Sequence, residues 1–221
     1  MALAAYESKE LSELRLLLTK KDEEIAVLTS KNAALEKLLK QESRIVDLER
    51  RMAATEQYSR RECIELAGIP ESVPEEEIEQ KVVDLLNHAG VGVTVDDFHA
   101  VHRLKNKKIV IAKFISRKKA VASLKNKKKL RELDEPSKVR FGVGKVFVNE
   151  SLCPTYRRLF GICNSLFKKK YISKNFTFNG SLYIVSGDEK INIAHINDLN
   201  EAVGEEKVRE VLDEFEARKF Q

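Results

Sequence analysis

Glycine and proline are scarce in this 221-residue chain, nine and four respectively, and neither occurs between residues 8 and 56. That stretch is rich in Leu, Glu, Lys and Ala, so both its composition and its lack of breakers favour one continuous helix. Cysteine is equally sparse. Cys63, Cys153 and Cys163 form no paired framework, which excludes a disulfide scaffold and fits a reducing compartment. With His88, His99, His102 and His195 they show no zinc spacing of the Cys-x2-Cys kind. Cys153 and Cys163, ten residues apart on one predicted helix, would lie about 15 Å apart, too far to act together. Isolated Cys and His in apolar surroundings read as core residues. Gly142-Val143-Gly144 lacks the rest of a phosphate-cradling loop. No apolar run approaches the roughly 20 residues of a membrane-spanning helix, and Met1 opens no signal-peptide pattern. These absences predict a soluble cytoplasmic or nuclear protein, not an enzyme, with no metal, cofactor, membrane or small-molecule substrate. A hydrophobic fraction of 43% is ample for a core and argues against wholesale disorder.

The net charge of +5 conceals strong segregation. Residues 1–56 carry −1 and residues 57–100 carry −7, whereas 101–174 hold 22 Lys and Arg against 4 Asp and Glu, a net +18; residues 175–221 carry −5. A chain that concentrates its positive charge in one third of its length points to a polyanionic partner.

The helical stretch carries a heptad seam. With Leu11 at position a, the a/d series runs Leu11, Leu14, Leu18, Lys21, Ile25, Leu28, Asn32, Leu35 and Leu39. Its register then slips by one residue to Leu38, Ile45, Leu48 and Met52, a discontinuity that distorts a supercoil without ending it. The stripe is narrow and charged on both flanks, which favours a partner helix over packing on the protein's own body. Asn32 at a core position fixes register and oligomer state at some cost in stability. Dimer and trimer both satisfy the pattern. From residue 8 to 56 such a helix spans roughly 70 Å.

Beyond it the texture becomes α+β. Cys63–Ala67 reads as a strand closed by Gly68-Ile69-Pro70. Ser72 is the expected cap of a helix with Pro74 in its first turn, Glu75 in a capping box, and Ile78, Val82, Val83, Leu85 and Leu86 buried. Strands follow near Phe98–Leu104 and Ile109–Ile115. A helix capped by Ser116 runs to about Asn126, with Ala120, Val121 and Leu124 inward. A further strand lies near Val139–Val148, with Gly142 and Gly144 as interruptions. The order β-α-β-β-α-β is the ferredoxin-like arrangement of RNA-recognition-motif (RRM) domains. A second unit then opens with an amphipathic helix at Ser151-Leu152-Cys153-Pro154. Asn179-Gly180 makes a strong hairpin signal between Phe176-Thr177-Phe178 and Leu182–Val185. A third strand is expected at Ile191–Ile196 and a closing helix at Glu205–Phe220. The expected domains are residues 1–56, 57–149 and 150–221: coiled coil, RRM-like domain, and a small α+β C-terminal domain.

The candidate ligand residues are basic. Arg103, Lys105, Lys107 and Lys108 fall in the loop between the second and third strands. Lys113 lies within the third strand, and Arg117, Lys118 and Lys119 open the next helix. Lys125, Lys127, Lys128, Lys129 and Arg131 follow, and the second unit adds Arg157, Arg158, Lys168, Lys169, Lys170 and Lys174. Such groups bind phosphate by charge and by releasing condensed counterions. A conventional RRM stacks bases on aromatics of its first and third strands. Those positions here hold Glu65, Ile109 and Ile111, with Lys113 exposed beside them and Phe114 expected inward. Affinity should therefore rest on phosphate contacts, with weak sequence preference.

Three stretches carry a resemblance: Arg61-Glu62-Cys63-Ile64-Glu65-Leu66-Ala67-Gly68-Ile69-Pro70-Glu71, Ala100-Val101-His102-Arg103-Leu104, and Val146-Phe147-Val148-Asn149-Glu150-Ser151-Leu152. With a coiled coil before them and a basic helix and hairpin after, the chain resembles the first-open-reading-frame proteins of LINE-type retrotransposons. It is also similar to the baculoviral few-polyhedra (FP) protein family and its insect relatives, especially from about Val146 to Leu199. The resemblance implies a self-associating protein that coats single-stranded RNA as a nucleic-acid chaperone for a mobile element, with a C-terminal domain whose cleft helps hold the strand. It assigns nucleic-acid contact to Arg103, Arg157 and Arg158. Single-stranded DNA is the related ligand. The rival expectation is a coiled-coil adaptor or structural protein, viral or host, that does not bind nucleic acid.

Overall fold

The computed structural model describes residues 2–105 and 108–217, with side chains from Leu11 onward, Ser12 excepted. Helix α1 (Ala2–Ser59) is unbroken, as its lack of Gly and Pro requires. The chain divides into two compact units, Met1–Glu49 and Arg50–Gln221. Within the first, the seam residues are exposed: Leu14, Leu18, Ile25, Leu28, Leu35 and Leu39 each leave more than half their surface in water. Their off-seam neighbours Leu16, Leu17, Val27 and Leu38 do the same. Leu11, Ile45 and Leu48 complete the exposed apolar set, and the polar Asn32 is exposed among them. Thr19 and Thr29 donate to the carbonyls four residues earlier, and Lys21 pairs with Glu24 at 2.6 Å.

The second unit is α+β with two antiparallel sheets. The first holds β1 (Cys63–Ala67), β2 (Phe98–Arg103), β3 (Ile109–Phe114) and β4 (Phe147–Glu150) in the order β2-β3-β1-β4. On one face it carries α2 (Glu75–His88) and α3 (Arg117–Arg131). Ile64, Leu66, Val110, Ala112, Phe114 and Val148 face those helices and are buried with Ile78, Val82, Leu85 and Leu86. Alternation along each strand leaves Cys63, Glu65, Ile111 and Lys113 on the opposite face. The second sheet, β5 (Lys174–Phe178), β6 (Ser181–Ser186) and β7 (Glu189–Ile193), buries Leu182, Ile184 and Ile193. They meet α5 (Pro154–Lys168), α6 (Ile196–Val203) and α7 (Glu205–Ala217) in a second core that also takes Ala53 of α1.

Local chemistry departs from expectation in four places. Ser72 does not cap α2; Pro74 does, with no side-chain cap bond, and the Glu75 carboxylate accepts the Arg103 backbone N–H at 2.9 Å instead of closing a capping box. Helix α3 continues to Arg131, past Asn126, because Leu130 finds a fully buried position. Val121 and Leu124 on it are only half-buried. The expected strand over Val139–Val148 is first a helix, α4 (Glu135–Phe141), and only then β4. Asp134 accepts the Ser137 N–H at 3.2 Å, Pro136 sits in the first turn, and Gly142 in the left-handed region (φ 59°) ends it. Those end signals and the burial of Phe141 prevail over the β-branched character of the segment. Finally, Ile196 begins α6 rather than ending a strand, with His195 as its cap; its ring nitrogen accepts the Asn197 N–H at 3.2 Å. The closing helix is described to Ala217, so the expectation for residues 218–220 lies outside the described residues.

Gly68 shows why the first β-turn needs glycine. Its φ is +101°, and a Cβ there would meet the Lys145 carbonyl oxygen at 2.2 Å.

Candidate nucleic-acid interface

Between the two cores of the second unit runs a cleft of about 520 Å³. One wall is α3, with Arg117, Val121, Leu124, Lys125 and Lys127. The floor is the last turn of α1 and the end of β4, with Gln57, Arg60, Arg61, Glu150 and Ser151. The opposite lip is the β5–β6 hairpin tip, from Thr177 to Gly180.

Three contacts set this geometry. Gln57, 2% exposed, donates its amide to the Ser151 carbonyl at 2.9 Å and accepts the Cys153 N–H at 2.8 Å, stapling α1 to the segment between β4 and α5. The Gly180 N–H donates to both carboxylate oxygens of Glu150 at 3.2 Å, seating the hairpin tip. An Nη of Arg117 donates to the Asn179 side-chain oxygen across the mouth. Asn179 and Gly180 both have positive φ, 57° and 77°, as a two-residue primed turn demands.

The cleft is lined by five cations and by the carboxylate of Glu150, and Glu56 pairs with Arg60 at 3.1 Å. Lys125 and Lys127 are exposed and form no ion pair among the described residues. Arg61 stacks near Tyr58, its guanidinium 5.1 Å from the ring centroid, and its Nε is buried without a hydrogen-bond partner. Phe178 on the lip is 64% exposed and Tyr58 67%, so aromatic surface sits among the cations. Cations that track a backbone, interleaved with ring faces, are the parts of a single-strand binding groove.

The predicted cations fall into three groups. Arg117 and Lys127 line the cleft, and Lys118 is exposed near them on α3. Lys113 is exposed on the open face of β3, and Lys105, Lys108, Lys168 and Lys170 are exposed elsewhere. Lys107 lies outside the described residues. The remaining cations are held by the fold. Arg103 donates to the carbonyls of Ile69, Pro70 and Val73 and so clamps the turn after β1. Lys119 reaches the Gly92 carbonyl and lies 3.6 Å from Asp97; Lys129 donates to the Ala89 carbonyl at 3.0 Å. Lys128 and Arg131 lie beside Glu132. Arg157 pairs with Glu65, Arg158 with Glu216 at 2.6 Å, and Lys169 with Glu210 and Glu214. Glu210 and Glu214 hold the Lys169 ammonium above its usual range, while Lys169 and then the Tyr171 hydroxyl keep Glu210 below its own.

Arg60, Arg61 and the aromatic lip were missed by sequence reasoning. The Arg60-Arg61 pair carried a signal, since it follows directly on the helix, but the local charge of the acidic segment 57–100 masked it. Two of the thiols are poor nucleophiles: burial raises Cys63 and pushes Cys163 up to about 12. Among the described residues no group of three or more His, Cys, Asp or Glu could hold a metal ion, and no helix is long and apolar enough to cross a membrane. Compared with known proteins, the chain matches no family model and no curated sequence.

Proposed function

We propose that this chain is a non-enzymatic, self-associating binder of single-stranded nucleic acid, RNA in the first instance, that grips the backbone with little sequence preference. The observation that carries the reading is the cleft: Arg60, Arg61, Arg117, Lys125 and Lys127 converge on one groove with exposed aromatic surface at its lip. Its width comes from two bodies meeting rather than from a duplex-reading helix, which favours a single strand.

The strand order β2-β3-β1-β4, all antiparallel, supports a ferredoxin-like, RRM-type domain for residues 57–149. The exposed seam of α1 supports a homo-oligomeric coiled coil, because burying leucines that stand more than half in water is worth about 1 kcal/mol or more apiece. Together with the retrotransposon-like motifs, these features favour a nucleic-acid chaperone derived from a mobile element, acting in the cytoplasm or nucleus. The adaptor alternative draws support from the ion-paired cations on α5 and just past its end, Arg158 and Lys169.

Anisotropy of a labelled 20-nucleotide single strand, titrated from 50 to 200 mM salt, separates the two. Four phosphate contacts, from Arg61, Arg117, Lys125 and Lys127, predict a log–log slope of about −2.8. No binding at low salt, or a flat salt dependence, rejects the reading and leaves the adaptor. Light scattering of the same samples reports the oligomer. Leu28→Glu with Leu35→Glu should turn it into monomers.

A further inference from the structure

The solvent face of the second sheet has a composition quite unlike that of the first. Cross-strand register puts Phe176 directly opposite Tyr183, and Tyr183 opposite Asn192, all on the face away from buried Leu182, Ile184 and Ile193. The two rings lie nearly parallel, 22° apart, with centroids separated by 5.5 Å. Two lysines reach over them: Lys190 to 4.0 Å from the Tyr183 centroid and 5.3 Å from Phe176, and Lys174 to 5.3 Å from Phe176.

We infer that this face is a nucleobase-stacking site, in which Phe176 and Tyr183 take bases of a single strand while Lys174 and Lys190 meet the flanking phosphates. The inference rests on the cleft binding that strand. Both rings are half-buried, and the lysines that reach over them, Lys174 and Lys190, are exposed. A ring face that a lysine ammonium can reach from solvent is one a planar base can reach. The exchange loses little, because a cation at an exposed ring is weakly held and, once displaced, its ammonium pairs with phosphate instead.

Charge and position specify the occupant. The platform offers aromatic faces flanked by cations, which suits a polyanion carrying π-systems and does not suit an apolar helix. Asn192, exposed beside Tyr183, adds a donor and an acceptor at the base edge. A shallow pocket with Asn192 and Ser181 shares Gln57, Arg61 and Gly180 with the cleft, so one strand can pass from groove to platform past the hairpin tip. The sheet therefore supplies the base contact that β1 and β3 lack.

The test compares a 12-nucleotide single strand with an abasic strand of the same length, bound by the full chain. The base-bearing strand should bind on the order of ten-fold tighter or more. Phe176→Leu with Tyr183→Leu should cut that preference several-fold, to what Phe178 and Tyr58 of the cleft supply, and leave the salt slope unchanged, while Tyr183→Phe should keep it. Equal binding of the two strands by the unaltered protein, or a preference undiminished by the double substitution, overturns the stacking site and leaves the cleft standing. Binding of neither strand at low salt overturns both. Photocrosslinking of a 5-iodouracil strand to the unaltered protein covers the case in which the double variant fails to fold. Adducts on Phe176 or Tyr183 support the site, and adducts confined to other residues reject it.

Discussion

Helices α3 and α5 look alike as sequence, each closing on a run of lysines, yet their cations have different fates. Along α5 and just past its end, Arg158 and Lys169 face α7, whose Glu210, Glu214 and Glu216 neutralise them. Along α3, Lys125 and Lys127 face a cleft whose one lining carboxylate among the described residues, Glu150, is already engaged by the Gly180 N–H. Positive charge in a sequence is thus an upper bound on charge available to a ligand. Along α5 much of the reduction comes from the acidic −5 segment that folds back against it.

The largest effect should come from breaking the α3 side. Arg117→Glu with Lys127→Glu removes two cations and adds two anions within the groove. We expect at least a hundred-fold loss of affinity at 100 mM salt and a salt slope about 1.4 shallower for the two lost contacts, read by anisotropy. Next comes the lip that faces those residues. Gly180→Ala forces a Cβ into a φ of +77° and to 3.3 Å from the Arg61 side chain. It should cost about 1–2 kcal/mol in thermal or urea unfolding and weaken binding several-fold by displacing the hairpin tip.

The α5 side should respond far less. Arg158→Ala with Lys169→Ala removes as many positive charges as one would from α3, but charges already paired with carboxylates, so affinity should fall by about two-fold or less. A loss as large as that from the α3 pair would erase the distinction between the two helices. The smallest effect is on pH. Glu210, held below its usual range of 4.5 by Lys169 and Tyr171, contributes stability that is complete above that value and is lost as pH falls through its depressed one. Lys169, raised above 10.5, contributes fully below that value and loses its contribution as pH rises beyond its elevated one. Protection of α7 amides from hydrogen exchange should therefore be flat from about pH 5 to 10 and decline as pH falls below 4.5. Glu210 is exposed and Lys169 half-buried, so the change should be modest.

Much of the architecture was legible beforehand. The first helix, strands β1 to β3 and the Asn179-Gly180 hairpin follow from periodicity and turn chemistry, which are local. The α4 error was local as well: Asp134 and Pro136 are strong start signals that the β-branched residues downstream obscured. The site was far less legible. Its lining comes from α1, α3, β4 and the β5–β6 hairpin, segments separated by up to about 120 residues, and no single window contains two walls of it. Arg103 shows the converse. Its His-Arg motif marked it as a ligand contact, whereas its guanidinium closes on three backbone carbonyls.

By itself the sequence determined the continuous α1 with its leucine seam, the two-sheet α+β character, and the concentration of positive charge between residues 101 and 174. Each of these depends on composition or on spacing within a few residues. Only the tertiary structure decided which cations stay available, because that depends on whether a carboxylate lies within about 4 Å after folding. It likewise decided that the aromatic face lies on the second sheet rather than the first. Register and strand pairing bring Phe176 and Tyr183 side by side, and those are properties of two strands together.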